Sequence, residues 1–447
     1  MAPTPRSRTV ALTLAVALLT LLGVSAAPTA QADDPTVSAA VEAPAPAVIP
    51  FVVPEGALFT RPPDAGGTHE EEIAWNLLIQ HLLDATPAGA TVTGSLFSLT
   101  ATDSQAALKR ADERGVKVRL LLYDRRADDK QVRSLVRSLN DGKTRGSWAK
   151  VCYGSCYGHP KVKKKGKKKV KPINPGVQHF KAFTFSTVME TDTQAATNVW
   201  TAGSGNLTNG GSGFNSYVTK KNGPGIVAAL NTYMVGMRAD KEARPGVARI
   251  VEEGIYKMYL YPQRGLTPDV VSDTLKTVTC AAPAGYGLNG KTVVRVGMFT
   301  WTPFRKLDLQ LVRLRQAGCD VQVEVSAPTI DKLVMKHLIR GGVPVFNAHH
   351  YTDQEFYYLH DKNLIIDGAV NGVPTSEVLA GSNNFTDGGL IRNTESIIQI
   401  RDRAVTNEFL TNWALIQGYT KPITKLSQLS AKAVPTLDPD NMEPTGR

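Results

Sequence analysis

Cysteine is scarce in this sequence. Only Cys152, Cys156, Cys280 and Cys319 are present, and none of them form the C-x2-C pairs of a structural zinc site. No cluster of carboxylates offers an alternative metal site. After residue 24 no stretch is apolar enough to cross a bilayer, which excludes a chain that threads the membrane repeatedly. Low hydrophobicity is also absent. Hydrophobic residues make up 42% of the chain, and that excludes general disorder.

The first 32 residues have the order of an export leader. Arg6 and Arg8 give a positive start, Val10 to Val24 is an apolar run too short to span a bilayer comfortably, and Ala30-Gln31-Ala32 is a small-x-small cleavage site. Ser7 separates the two arginines, so the twin-arginine route is not indicated. The expected product is therefore secreted and extracellular, where an even number of cysteines favours disulfides. Of the three possible pairings, Cys152–Cys156 with Cys280–Cys319 is preferred. Residues 33–50 are rich in alanine and proline and read as a linker. Residues 426–447 read as a disordered tail.

The net charge of +11 is concentrated in one place. Lys161 to Lys171 (KVKKKGKKKVK) holds eight lysines, and taking 8 from 11 leaves +3. Such a run is self-repelling and solvated. It is able to attract anionic lipid or nucleic acid, or to be a plain surface loop.

Between linker and tail the chain repeats, as residues 51–245 and 246–425. In the first half Thr91–Phe97 is strand-like, Asp103–Arg114 has helical spacing, Gly115 breaks it and Val116–Leu122 is a second strand. In the second half Thr292–Phe299, Leu307–Ala317, Gly318 and Val321–Val325 follow the same order, and helical patterns recur near Lys130–Leu139 and Asp331–Ile339. Alternating strands and helices predict an α/β fold: duplicated sandwich halves with mostly parallel sheets and the site at the seam between them.

Each half then offers the same chemistry. Val177-Gln178-His179-Phe180-Lys181 and Tyr358-Leu359-His360-Asp361-Lys362 place a histidine and a lysine two apart, on one face of a strand. Gly203-Ser204-Gly205-Asn206 and Gly381-Ser382-Asn383-Asn384 follow, each after an apolar run, and Thr208 and Thr386 repeat as well. Cleavage of a phosphodiester needs a nucleophile, an acid for the leaving oxygen and positive charge for the phosphoryl oxygens. Two histidines divide the first two tasks. Lys181 and Lys362 supply charge, Asn206 and Asn384 neutral donors, and no metal or other cofactor is called for.

These motifs resemble the phospholipase D superfamily, whose pattern is His-x-Lys-x4-Asp with a following Gly-Ser-x-Asn, twice. The second half matches throughout, with Asp367 as the motif aspartate, whereas Ser186 stands at that place in the first half. The resemblance implies a phospho-histidine intermediate, with one histidine as nucleophile and the other as acid, then base. It also implies that a carboxylate downstream of one motif orients the histidine of the opposite half. Glu395, eleven residues after Asn384, fits that place for His179, which makes His179 the nucleophile and His360 the acid. Counting eleven from Asn206 reaches Tyr217. Ser204 and Ser382 are expected at the substrate.

The expected activity is a phospholipase D-type hydrolysis of glycerophospholipid head groups, with phospholipid or a membrane surface as substrate. Phe299–Phe304 (FTWTPF) is a candidate apolar lip for it, and Gly203–Gly213 a candidate phosphate-cradling loop. The alternatives are a secreted nuclease of the same superfamily, gripping nucleic acid through Lys161–Lys171, and an impaired anionic-lipid-binding relative, since Ser186 and Tyr217 depart from the pattern. One chain with both half-motifs is able to form its site as a monomer.

Overall fold

Why each half folds as it does is clearest at its first β-α-β unit. In a computed structural model of the chain, Thr91–Leu96 leads into the helix Thr102–Glu113, and Val293–Met298 into the helix Leu307–Gln316. Both helices end at a glycine in the left-handed region, Gly115 at φ +93 and Gly318 at φ +99, where a side chain would be strained. The chain then returns as the parallel strands Lys117–Tyr123 and Asp320–Val325. The next helices, Lys130–Leu139 and Lys332–Arg340, are both capped by an aspartate side chain, from Asp129 and Asp331, that accepts backbone N–H groups of the first turn.

The structure describes residues 46–123, 129–157, 176–209, 213–239, 249–262 and 268–429. The leader, the lysine run Lys161–Lys171 and residues 430–447 lie outside these. So does most of the linker, while Leu426–Leu429 form a 3-10 turn. All the described residues belong to one compact unit, Ala45–Arg447.

Two large sheets carry the repeat. The first has seven strands in the order Gly56–Phe59, Ser216–Lys220, Ala195–Gly203, Ala182–Met189, Thr91–Leu96, Lys117–Tyr123 and Trp148–Cys152. The second contains the matching run Tyr256–Tyr261, Glu395–Ile400, Val373–Gly381, Lys362–Val370, Val293–Met298, Asp320–Val325 and Val345–Asn347, with short strands added at its margins. The α/β class is as expected, but the expectation of mostly parallel sheets is corrected. Within each run only the last three strands, those joined by crossover helices, are parallel. The strands after the His-x-Lys segments are joined by hairpins, which need no crossover and run antiparallel.

Alternation along the strands sorts side chains into layers. Phe183 and Phe185 pack with Leu82, Leu108 and Leu120 on the helix-covered face of the first sheet. Leu364 and Ile366 do the same with Leu311 and Leu338 on the second. A third cluster joins residues of both halves, including Phe180, Trp200, Met258, Ile365, Ile398 and Phe409. The halves are therefore fused through a shared apolar core rather than hinged.

Cys152 pairs with Cys156 and Cys280 with Cys319. Cysteines so paired have no thiolate for zinc. The second bridge closes the longer loop, with a sequence separation of 39 against 4. The chain-entropy argument gives about 4 kcal/mol for the longer loop and about 2 kcal/mol for the shorter. Replacing Cys280 and Cys319 together by alanine should therefore lower the melting temperature more than replacing Cys152 and Cys156. Calorimetry of the two double variants checks the order.

Candidate active site

Each His-x-Lys segment leaves its own sheet and pairs with the other half. The backbone N–H of His179 donates to the carbonyl of Thr394, and that of Thr394 to Val177, both at 3.1 Å. In the opposite sense, Phe356–Leu359 runs parallel to Gly213–Phe214, and the His360 N–H donates to the Phe214 carbonyl at 3.0 Å. The residue after each of these partners then reaches the imidazole. Nδ1 of His179 lies 2.9 Å from both carboxylate oxygens of Glu395, and Nδ1 of His360 lies 2.7 Å from Oδ1 of Asn215. The histidine of one half is thus held, by main chain and side chain, from the other half.

Asn215, not Tyr217, is therefore the counterpart of Glu395. The supporting contacts match on both sides. The Ser204 hydroxyl donates to Asn215 Oδ1 at 3.0 Å and accepts the Ser216 N–H. The Ser382 hydroxyl donates to Glu395 Oε2 at 2.5 Å and accepts the Ser396 N–H. The loop of the first half is two residues shorter, so counting from Asn206 overshoots. The pair Asn215-Ser216, aligned with Glu395-Ser396, is the sequence mark that finds it. Ser204 and Ser382, expected at the substrate, are both fully buried and fix the partners of the histidines instead.

The amides follow the same symmetry. Oδ1 of Asn206 accepts the N–H groups of Phe97 and Ser98, and Oδ1 of Asn384 accepts that of Thr300. Each carboxamide is thereby oriented by the loop after the first β-α-β strand of its half, Thr91–Leu96 or Val293–Met298. Lys181 and Lys362 are buried, with Nζ 5.5 Å from the Phe97 ring centre and 5.3 Å from that of Phe299. Lys362 also donates to the carbonyls of His360 and, across the seam, of Ser204. Phe97 and Phe299 meet the two imidazoles edge to face.

Phe299 and Trp301 are thus core residues, and of the expected apolar lip only Phe304 is well exposed. Of the glycine loop Gly203–Gly213, residues 210–212 lie outside the described residues. A Cβ on Gly205 would sit 2.0 Å from the Tyr217 hydroxyl oxygen, so close packing accounts for this glycine. The motif aspartate also has a structural place. Asp367 accepts the N–H of Gly287 at 2.7 Å and the hydroxyl of Ser376 at 2.5 Å. Ser186 accepts the N–H of Thr91 at 2.9 Å. Both side chains tie strands together, and the change from Asp to Ser leaves the histidine contacts intact.

Electrostatics set the resting proton states. Burial first, then the two lysine ammonium groups, hold both imidazoles well below their ordinary value of 6.5. Burial pushes the Glu395 carboxyl up to about 7, and that of Asp361, which accepts from the Ser216 hydroxyl across the seam, up to about 6. With Nδ1 of each ring committed to its oxygen acceptor, Nε2 is the reactive nitrogen. Both Nε2 atoms are buried and, among the described residues, make no hydrogen bond. The site therefore assembles two imidazoles, two ammonium groups and two oriented amides: a nucleophile, a proton carrier and donors suited to a phosphoryl group.

Residues 288–414 match the family described as cardiolipin synthase, PLD-like domain. No curated protein matches the chain in sequence. Among solved structures, phosphatidylserine synthase of Haemophilus influenzae Rd KW20 is similar at 13% identity over 85% of this chain and 91% of that one, with a TM-score of 0.54. Polyphosphate kinase of Porphyromonas gingivalis matches at 13% identity over 79% of this chain, with a TM-score of 0.46, and this chain spans about half its length, 49%. Nuc, a phospholipase D family member from Salmonella typhimurium, matches at 17% identity over 38% of this chain and 99% of that one, with a TM-score of 0.28. Residues 288–414 thus match a PLD-like domain, and the chain shares its fold with that phosphatidylserine synthase.

Proposed function

We propose that the protein is an exported phospholipase D-type phosphodiesterase that releases the head-group alcohol of glycerophospholipids. The observation that carries this reading is the pair of buried, unbonded Nε2 atoms, each beside a buried lysine and each oriented from the opposite half. Lys181 and Lys362 neutralise the phosphoryl oxygens. Nε2 of His179 attacks phosphorus as Nε2–H of His360 gives its proton to the departing alkoxide, so that a P–N bond replaces the P–O bond. Water then attacks phosphorus, His360 takes its proton, and the P–N bond returns its electrons to His179.

The unequal partners support this division. Glu395 is able to offset the positive charge of a phospho-imidazolium, which suits His179 as nucleophile. Asn215 offers His360 an orienting acceptor without charge, so His360 gives up its proton more readily. Export and a lipid substrate rest on the leader-like start of the sequence.

Head-group release from phosphatidylethanolamine, phosphatidylcholine and phosphatidylglycerol vesicles tests the reading. His179→Ala and His360→Ala should each lower it by at least about a thousandfold. Glu395→Gln, which keeps the shape and removes the charge, should cost on the order of a hundredfold. No release from any lipid, with cleavage of DNA instead, would move the assignment to the nuclease. An intermediate that water resolves should also be open to capture, so added primary alcohol should give a phosphatidyl-alcohol product at the expense of phosphatidic acid.

The pH dependence follows from the resting state. His360 must hold a proton to act as an acid, and burial with the lysines keeps it below 6.5 in the unliganded protein. As pH rises, log kcat/KM should fall with a midpoint below that value. Lys362→Met, by removing positive charge, should move the midpoint upward even as it slows the reaction. A midpoint above 6.5 that this variant leaves in place would assign the acid to another group.

A further inference from the structure

Beside His360 the protein encloses a narrow pocket. Its walls include Glu72, Trp75, Asn206, Tyr217, Tyr358 and His360, and it has about 20 Å³ of room for a water-sized group. The rings are buried, and Trp75 and Tyr217 stack at 4.6 Å. The Glu72 side chain is only 11% exposed, with the exposed imidazole of His69 at 3.4 Å on it.

Three features agree on one class of occupant. A carboxylate in the pocket wall favours a cation through direct charge. Room of about 20 Å³ favours a compact group such as an ammonium over a bulkier trimethylammonium. The pocket also adjoins the histidine assigned to protonate the leaving oxygen, so what occupies it is the leaving alcohol.

We infer that this pocket selects a small alcohol carrying a primary ammonium, so that an ethanolamine head group is preferred over choline, glycerol or serine. Choline is too bulky at nitrogen and glycerol lacks the charge. Serine adds a carboxylate that Glu72 repels. In the second step the same space admits water. Tyr217, which stands where the second half has Ile397, is a wall of this pocket.

The inference rests on the phospholipase reading, and one assay separates the two. Head-group release is measured in detergent-mixed micelles containing phosphatidylethanolamine, phosphatidylglycerol, phosphatidylcholine or phosphatidylserine at equal mole fraction. The wild-type protein should favour phosphatidylethanolamine over phosphatidylglycerol by about tenfold in kcat/KM. Glu72→Gln should collapse that ratio towards one, whatever it does to the absolute rates, and Glu72→Asp should keep part of it. Equal rates on the two lipids in the wild-type protein, a preference for phosphatidylcholine, or a ratio that survives Glu72→Gln would overturn the inference while leaving the phospholipase reading in place. No release from any of the four would overturn both.

Discussion

Everything in the site depends on an exchange across the seam. The segments before His179 and His360 pair with main chain of the opposite half, and the next side chain there, Glu395 or Asn215, takes up Nδ1 of the ring. Neither half is able to orient its own histidine. The shared core of Phe180, Trp200, Ile365 and Ile398 is what makes this dependence safe, because it holds the two sheets at fixed spacing. Positioning residues such as Ser204 and Ser382 extend the same logic outward. Each fixes the residue that fixes a ring of the other half.

That arrangement places groups where folding alone would not put them. Lys181, Lys362, both imidazoles and Glu395 are all buried, and removing such charges from water costs on the order of several kcal/mol each unless they are compensated. Compensation is incomplete here, since both imidazoles are held neutral and Glu395 is pushed up to about 7. Perturbation of this kind, in groups aimed at one another from two halves, belongs to a site shaped for reaction rather than to a stabilising ion-pair network. In the proposed reaction a bound phosphodiester brings negative charge beside both lysines, which offsets part of the cost and makes His360 easier to protonate.

Much of this was legible in the sequence because it is local or repeated. The β-α-β units, the break glycines Gly115 and Gly318, and the His-x-Lys and Gly-Ser-x-Asn motifs show themselves as period and spacing. Three things did not. The antiparallel half of each sheet follows from hairpins after the motifs, and an apolar run does not state its direction. Phe299 and Trp301 read as an exposed lip, but Phe299 lies under the lysine and the histidine of its own half and Trp301 is buried edge-on to Phe385. Asn215 was hidden by a loop two residues shorter than its counterpart, so a fixed count from Asn206 led to Tyr217. Matching the serines that follow, Ser216 and Ser396, restores the register, because both accept or donate in the same way to the Gly-Ser-x-Asn serine.

The repeat is close in its frame and unequal in its details, and the inequalities fall on one side. His360 has the neutral partner Asn215, where His179 has Glu395. Tyr217 stands where strand register places Ile397 in the second half, and the ring of Tyr217 is stacked on Trp75, from the helix Ala74–Asp84 that precedes the first repeat strand. The helix in the corresponding place of the second half, Val270–Thr277, is shorter and packs into the apolar core there. A symmetric site would offer the leaving alcohol two equivalent exits. In the proposed reaction the charge beside His179 serves the covalent intermediate and the polar, aromatic pocket at His360 faces the leaving alcohol, so the two differences support one division of roles without either needing the other. The repeat supplies the frame, and the differences at Asn215, Tyr217 and the helix before the first repeat strand make its two ends unlike, as a reaction with a fixed direction needs.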